Sequence, residues 1–202
     1  MNMANNTTFK KNLYLAQIAI FSALIIVMTF VPYLGYINYG FLSITLIHIP
    51  VIVGACLMGV RTGAALGGVW GVSCIIKAVL APPSPLEGII FRNPLIALIP
   101  RVLMGMAAGF VMYLLKNKSK TLGSVLASIA GCLTNTALVM GGIYLIYGEK
   151  YGEQLNISSI SFGGLTNYIL AAFGINAVIE IAVAIIITIP VVKALNKKML
   201  DK

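Results

Sequence analysis

Charge is what this sequence has least of. Only 9% of its residues are Asp, Glu, Lys or Arg, against about 25% in a soluble domain. With 59% apolar residues and a mean hydropathy of +0.98, that scarcity excludes a soluble globular protein and marks an integral membrane protein. One polytopic domain over residues 1–202 fills the length, because no stretch is left for a separate soluble domain of ordinary size. Cysteine is also sparse. Cys56, Cys74 and Cys132 all lie in apolar runs without metal-binding spacing, so they read as small packing residues. There is no G-x-x-x-x-G-K-[ST] phosphate loop, which excludes ATP hydrolysis by that route. Nor is there a second inverted half, as many secondary transporters have. The net charge of +9 does not mark a nucleic-acid binder. Its cations lie at the chain ends and in short loops, the pattern of the positive-inside rule.

The apolar runs predict six spans, at about 13–31, 42–58, 63–80, 94–115, 122–147 and 164–192. The basic start before the first run resembles a signal peptide, but the run is long and more follow, so it reads as a retained helix. The segment 32–41 reads as an aromatic loop with Tyr33, Tyr36, Tyr39 and Phe41, either an interfacial belt or a lid over a site. The second span carries His48 and an interior Pro50 that favours a kink. The third carries Gly63, Gly67 and Gly71 at four-residue spacing, and the fourth Gly105 and Gly109, both close-packing faces. Prolines 82, 83 and 85 make 81–93 a rigid loop, and 148–162 reads as a polar loop.

Counting the loops orients the bundle. Lys10, Lys11, Arg61, Lys116, Lys118, Lys120, Lys193, Lys197, Lys198 and Lys202 fall on one side. Glu87, Glu149 and Glu153, with Arg92 and Lys150, fall on the other. The expected architecture is an all-α membrane protein with six transmembrane helices in one bundle and both termini cytoplasmic.

The polar residues inside these runs carry the functional argument. Arg101 cannot lose its charge and costs roughly 3 kcal/mol in hydrocarbon, so it must face a polar cavity or partner. By helical rise it lies roughly 10 Å below the outer end of its span, with His48 at a similar depth and Lys77 and Asn167 shallower. Lys77 lies at i+7 from Trp70, near one helix face, and can also snorkel to water. Asn135, between Thr134 and Thr136, lies at mid-depth and either bonds another helix or faces a site. Glu180, roughly 24 Å along the last span, falls too deep to pair with Arg101. The outer half therefore holds cations without a carboxylate, and a small anionic solute from outside would supply the missing charge. The candidate binding residues are Arg101, Asn135, His48, Trp70, Lys77, Asn93, Asn167 and Tyr39. No catalytic or metal-binding residues are expected.

Several stretches resemble a known family. Ala19 and Ala23 form a small-xxx-small face on the first helix. The run SITLIHIPVIVGACLMGVRTGAALGGVWGV, with Thr45 to Ala55 leading into a glycine-rich helix, and the segment Asn93-Pro to Ile-Pro-Arg101 follow. They are similar to the substrate-binding S components of energy-coupling factor (ECF) vitamin transporters, most of all the pantothenate-type branch. That resemblance implies a high-affinity, non-enzymatic vitamin-binding subunit of a bacterial cell membrane, closed by loops one, three and five. It implies docking through Ala19 and Ala23 onto a transmembrane coupling protein with two ABC-type ATPases. ATP and Mg would act in those partners, with no cofactor in this chain. Toppling of the whole subunit would carry the vitamin inward. For pantothenate, Arg101 suits the carboxylate and Asn135 the amide or hydroxyls. An S component for riboflavin, folate or pyridoxine is the nearest alternative.

Two other classes remain on the page. Gly71-Val-Ser73-Cys74 with His48 faintly resembles a rhomboid protease, but there the histidine follows the nucleophile, and here the single histidine precedes it. A serine without a base is inert. A proton-coupled carrier titrating Glu180 needs no partner and is separated by whether the chain transports alone.

Overall fold

The computed structural model describes residues 3–39, 42–115, 118–154 and 162–200, with side chains over 8–36, 44–115, 118–148 and 174–195. Helix α1, Met3–Phe30, starts polar and becomes apolar from Leu13 on, and its Thr8–Phe30 portion is long enough to cross a membrane. After it comes a hairpin of β1, Tyr36–Tyr39, and β2, Leu42–Thr45, paired antiparallel with Tyr36 opposite Thr45. The chain then forms α2, His48–Met58, and α3, Val60–Leu80. Two short helices follow, α4, Pro85–Ile90, and α5, Pro94–Ala97, before α6, Ile99–Leu114. The last two are α7, Lys120–Gln154, and α8, Phe162–Leu200.

Among the described residues, five helices are long and apolar enough to cross a membrane, and α2 is shorter. This corrects the expected single helix over 42–58. Tyr36-Ile-Asn-Tyr39 and Leu42-Ser-Ile-Thr45 are rich in β-branched and aromatic residues, and they pair with each other instead of winding. What remains is 11 residues, about 16 Å of helix, roughly half the hydrocarbon thickness. Pro50 therefore falls in the first turn, where no helical N–H bond is due, and causes no kink. Ile49 N–H takes the Leu46 carbonyl at 3.1 Å. Residues His48 to Cys56 of α2 are all buried, as befits a helix apolar on every side. It forms the axis on which α1, α3, α6, α7 and α8 pack.

The third span begins at Val60 rather than Gly63. Gly59 alone makes the turn, with φ +91°, where a side chain is strained, and its N–H closes α2 on Ala55 O at 2.9 Å. The stretch expected as a loop from 148 is helical to Gln154, while 155–161 lie outside the described residues.

The glycine faces form one seam. A Cβ on Gly63 would strike the Gly105 carbonyl oxygen, one on Gly67 the Arg101 carbonyl oxygen, and one on Gly109 would come within 2.7 Å of Val60 Cα. Helices α3 and α6 thus run antiparallel with backbones touching. Tyr14 bonds Thr62 (2.8 Å) and Lys77 bonds the Thr29 carbonyl (2.9 Å), so α1 runs parallel to α3. A Cβ on Gly123 would meet Met112 Sδ at 2.7 Å, and one on Gly142 would meet Ile96 at 3.1 Å, so α7 runs antiparallel to α6. The described loop and end cations Lys10, Lys11, Arg61, Lys118, Lys120 and Lys193 consequently collect at one end of the bundle.

Candidate solute-binding cavity

A break in the fourth span creates the cation of the site. Pro100 has no N–H, so the Ile96 carbonyl four residues back lacks its helical donor. The chain kinks at Leu98 between α5 and α6. Arg101, on the first turn of α6, supplies the missing donor, Nη1 to Ile96 O. Its guanidinium carbon lies 5.1 Å from the Trp70 ring centre and 5.3 Å from that of Phe91, within cation–π range. Arg101 is 5% exposed and its Nε has no partner. Among the described residues no carboxylate pairs with it.

Arg101 lines a cavity of about 450 Å³ at the end of the bundle away from the collected cations, within the roughly 300–1,000 Å³ usual for small-molecule sites. Helices α3, α6, α7 and α8 wall it, and the loops after α1 and α3 stand at its margin with Tyr33 and Pro83. Its polar lining includes Tyr36, Thr45, Lys77, Arg101, Asn135 and Glu180.

Glu180 makes no ion pair with Arg101, but the structure corrects the expectation that the region holds no carboxylate. Glu180 lines the same cavity, 4% exposed. Its Oε1 accepts the Thr45 backbone N–H at 2.8 Å and Asn176 Nδ2 at 3.5 Å. The depth count compared rise along two separate helices, and one cavity can be lined from both without their side chains meeting. The strand β2 packs against α8, and Glu180 covers an N–H of its open edge. Backbone at membrane depth requires such a partner. The site thus contains a carboxylate as well as cations.

Lys77 does not snorkel outward. Its Nζ donates to Thr29 O and lies 4.3 Å from the Tyr36 ring centre. Asn135 faces the cavity, and its Oδ1 is buried with no partner, so interhelical bonding does not account for it. Trp70 is fully buried behind the wall, its Nε1 donating to Tyr36 Oη at 3.3 Å, which in turn contacts Cys74 Sγ at 3.1 Å. Two expected site residues lie elsewhere. His48 is buried at the start of α2 and does not line the cavity. Asn93 caps α5, its Oδ1 accepting Leu95 N–H at 3.0 Å, because the residue before Pro94 stays extended and suits a helix cap. The side chains of Tyr39 and Asn167 lie outside the described residues. Ala19 and Ala23 are exposed on α1.

Sequence reasoning missed Thr45, Phe91 and Glu180 as lining residues and had Tyr36 only as part of a belt or lid. Asn176 and Glu180 carry a signal, two polar residues at i, i+4 on one helix face. Thr45 and Tyr36 depend on the hairpin, which hydropathy does not reveal. At the margin, Glu87 on α4 is held above the usual carboxylate range by burial, which the Lys77 charge and the Ser84 hydroxyl only partly offset.

A family model described as the ECF transporter, substrate-specific component, matches residues 13–192. The chain is 35% identical over 166 residues to the pantothenic acid transporter PanT of Lactococcus lactis subsp. cremoris (strain MG1363), covering 76% of this chain and 78% of that protein. It is 31% identical over 193 residues to the pantothenate transporter PanT of Leuconostoc mesenteroides subsp. mesenteroides, covering 92% and 91%. Both the family and the pantothenate-type likeness agree with the motifs read in the sequence. With its spans, its buried arginine and these relatives together, this chain belongs to the family of ECF transporter substrate-specific components.

Proposed function

We propose that this chain is the high-affinity pantothenate-binding subunit of an ECF-type importer. The observation that carries the reading is Arg101, buried in a cavity wall with an unpartnered Nε and, among the described residues, no carboxylate in ion-pair contact. A guanidinium so placed calls for an anionic ligand. Pantothenate brings one carboxylate for Arg101, and an amide and hydroxyls for which Asn135 and its neighbours offer polar groups. The names of the relatives support the same substrate. In this reading the short α2 completes a six-helix domain in the bacterial cell membrane, both termini are cytoplasmic, and the cavity opens outside. The cationic end of the bundle supports that orientation. Ala19 and Ala23 lie on the face that docks on a coupling protein carrying two ATPases, where ATP and Mg act.

The test is calorimetric titration of the purified chain in detergent with pantothenate, riboflavin, folate, pyridoxine, thiamine and biotin. Pantothenate is expected to bind tightly without ATP or partners. Arg101→Ala should weaken it by about 30-fold or more, since truncating one side of a buried charge pair costs about 2–5 kcal/mol, while the thermal melt shows a folded protein. Tight binding of a different vitamin overturns the substrate and keeps the family. Unchanged affinity in Arg101→Ala removes the arginine from the site. Uptake by the chain alone in vesicles, driven by a proton gradient, would instead establish a carrier using Glu180.

A further inference from the structure

We propose that Glu180 is the specificity-determining acceptor of the cavity, taking the hydroxyl end of a monoanionic hydroxy acid whose carboxylate rests on Arg101. The inference deepens the pantothenate reading and rests on it.

The cavity carries two buried, oppositely charged groups that do not pair with each other. Arg101 belongs to the wall built by α3, α5 and α6, where it contacts Trp70, Phe91 and the Ile96 carbonyl. Glu180 belongs to α8, where it contacts Thr45 and Asn176. Helix α7 packs between those walls, against α6 on one side and α8 on the other, and presents Asn135 to the same space. Neither charged group has a protein ion pair among the described residues.

Both keep unused bonding capacity. A guanidinium has five N–H donors and a carboxylate about four lone-pair positions. The protein bonds of Arg101 end at one carbonyl, and those of Glu180 come from Thr45 and Asn176 alone, fewer than its lone-pair positions. Covering one strand N–H does not require a charge, since a neutral carbonyl would do it. A buried carboxyl without a direct ion pair is costly, and a donor in the cavity between it and Arg101 relieves that cost. Asn135 Oδ1 adds a second unpartnered acceptor on the neighbouring wall.

At the margin Lys77 and Glu87 lie near each other and offset each other's charge. Deeper in, Arg101 stands on the α6 wall as a donor, and Glu180 and Asn135 Oδ1 stand on the α8 and α7 side as acceptors. A ligand with an anion at one end and hydroxyl donors at the other satisfies both sets. A ligand with a second anion in place of the hydroxyls meets Glu180 with like charge and is rejected. Arg101 thus selects for an acid, and Glu180 selects against a diacid.

The test is a cycle of ligand and protein changes, read by calorimetry on the full chain in detergent. The ligands are pantothenate, analogues with each hydroxyl replaced in turn by hydrogen, and the same acid phosphorylated on its primary hydroxyl. The proteins are the wild type and Glu180→Gln, which retains an oxygen for the Thr45 N–H. In the wild type, loss of the hydroxyl facing Glu180 should weaken binding on the order of 10- to 100-fold, the range for a hydrogen bond to a charged group. In Glu180→Gln the same loss should cost only a few-fold. An equal penalty in both proteins overturns the proposal. The phosphorylated acid needs no variant: the wild type should bind it at least about 100-fold more weakly, and equal affinity overturns the proposal even if Glu180→Gln fails to fold. A wild type that binds no pantothenate overturns the substrate reading and this inference together. Pantothenate binding with an unchanged hydroxyl penalty overturns only the role of Glu180.

Discussion

Gly67 and Gly68 are adjacent in sequence, yet only the first touches the foundation of the site, and the pair gives a controlled perturbation. A Cβ built on Gly67 would collide with the carbonyl oxygen of Arg101, lie 2.7 Å from its carbonyl carbon, and lie 3.1 Å from Val102 Cα. Carbon atoms rest at about 3.5–4.0 Å, so in Gly67→Ala the seam between α3 and α6 must open by about 1 Å. All three obstructions are backbone and cannot rotate away. Overpacking of this kind costs about 1–3 kcal/mol. The same opening moves Arg101 itself, and a binding group tolerates only about 0.5 Å of misplacement. Pantothenate affinity should therefore fall about 10- to 100-fold. Gly68→Ala is the control, because its Cβ meets only a Val102 methyl at 3.9 Å, an ordinary contact. That variant should bind normally and melt slightly higher, since alanine favours a helix interior over glycine by about 0.5–1 kcal/mol. The assays are thermal unfolding in detergent and calorimetric titration of both variants. Wild-type binding and stability in Gly67→Ala, or equal damage from Gly68→Ala, would refute the reasoning.

Two further variants test the break before α6 and the margin of the cavity. Pro100→Ala restores a backbone N–H for the Ile96 carbonyl and so competes with Arg101 for its anchor. Melting should rise while pantothenate affinity, by calorimetry, falls about five-fold, the worth of roughly 1 kcal/mol of orienting bond; unchanged affinity would show that the anchor does not orient the guanidinium. Glu87 has its folded-state carboxyl pKa raised above 4.5 by burial. The unfolded chain therefore ionises first as pH rises, and the fold loses stability from about that pH until the folded carboxyl has also ionised. Glu87→Gln should match the wild-type melting temperature near pH 4 and exceed it above pH 7, and parallel pH profiles of the two melts would count against a buried carboxyl there.

Much of the chain was legible because membrane insertion acts on local composition. An apolar run of sufficient length spans, whatever surrounds it. Gly63, Gly67, Gly71, Gly105 and Gly109 announced a close seam, because only absent side chains allow two helix backbones to touch. Arg101 announced a polar cavity, because its charge cannot be neutralised by losing a proton. Pro100 beside it held a further signal, since a proline at one position leaves a carbonyl four residues back without a donor.

Tertiary structure decided what composition leaves open. Hydropathy treats Leu42–Thr45 as the start of a span, because Leu, Ile and Thr suit membrane helix and strand alike. The pairing with Tyr36–Tyr39 resolved that ambiguity. With β2 packed against α8, Glu180 bonds its strand edge and lines the cavity of Arg101, which depth along an isolated helix does not reveal. Asn93 became a helix cap and Trp70 a support behind Tyr36, because the identity of a polar side chain does not reveal which neighbour claims its bonds. Local composition sufficed for a membrane protein with a cation inside its fourth span, since both follow from the cost of polar groups in hydrocarbon. Only the folded arrangement decided that a carboxylate shares that cavity, since this depends on how nonlocal segments pack.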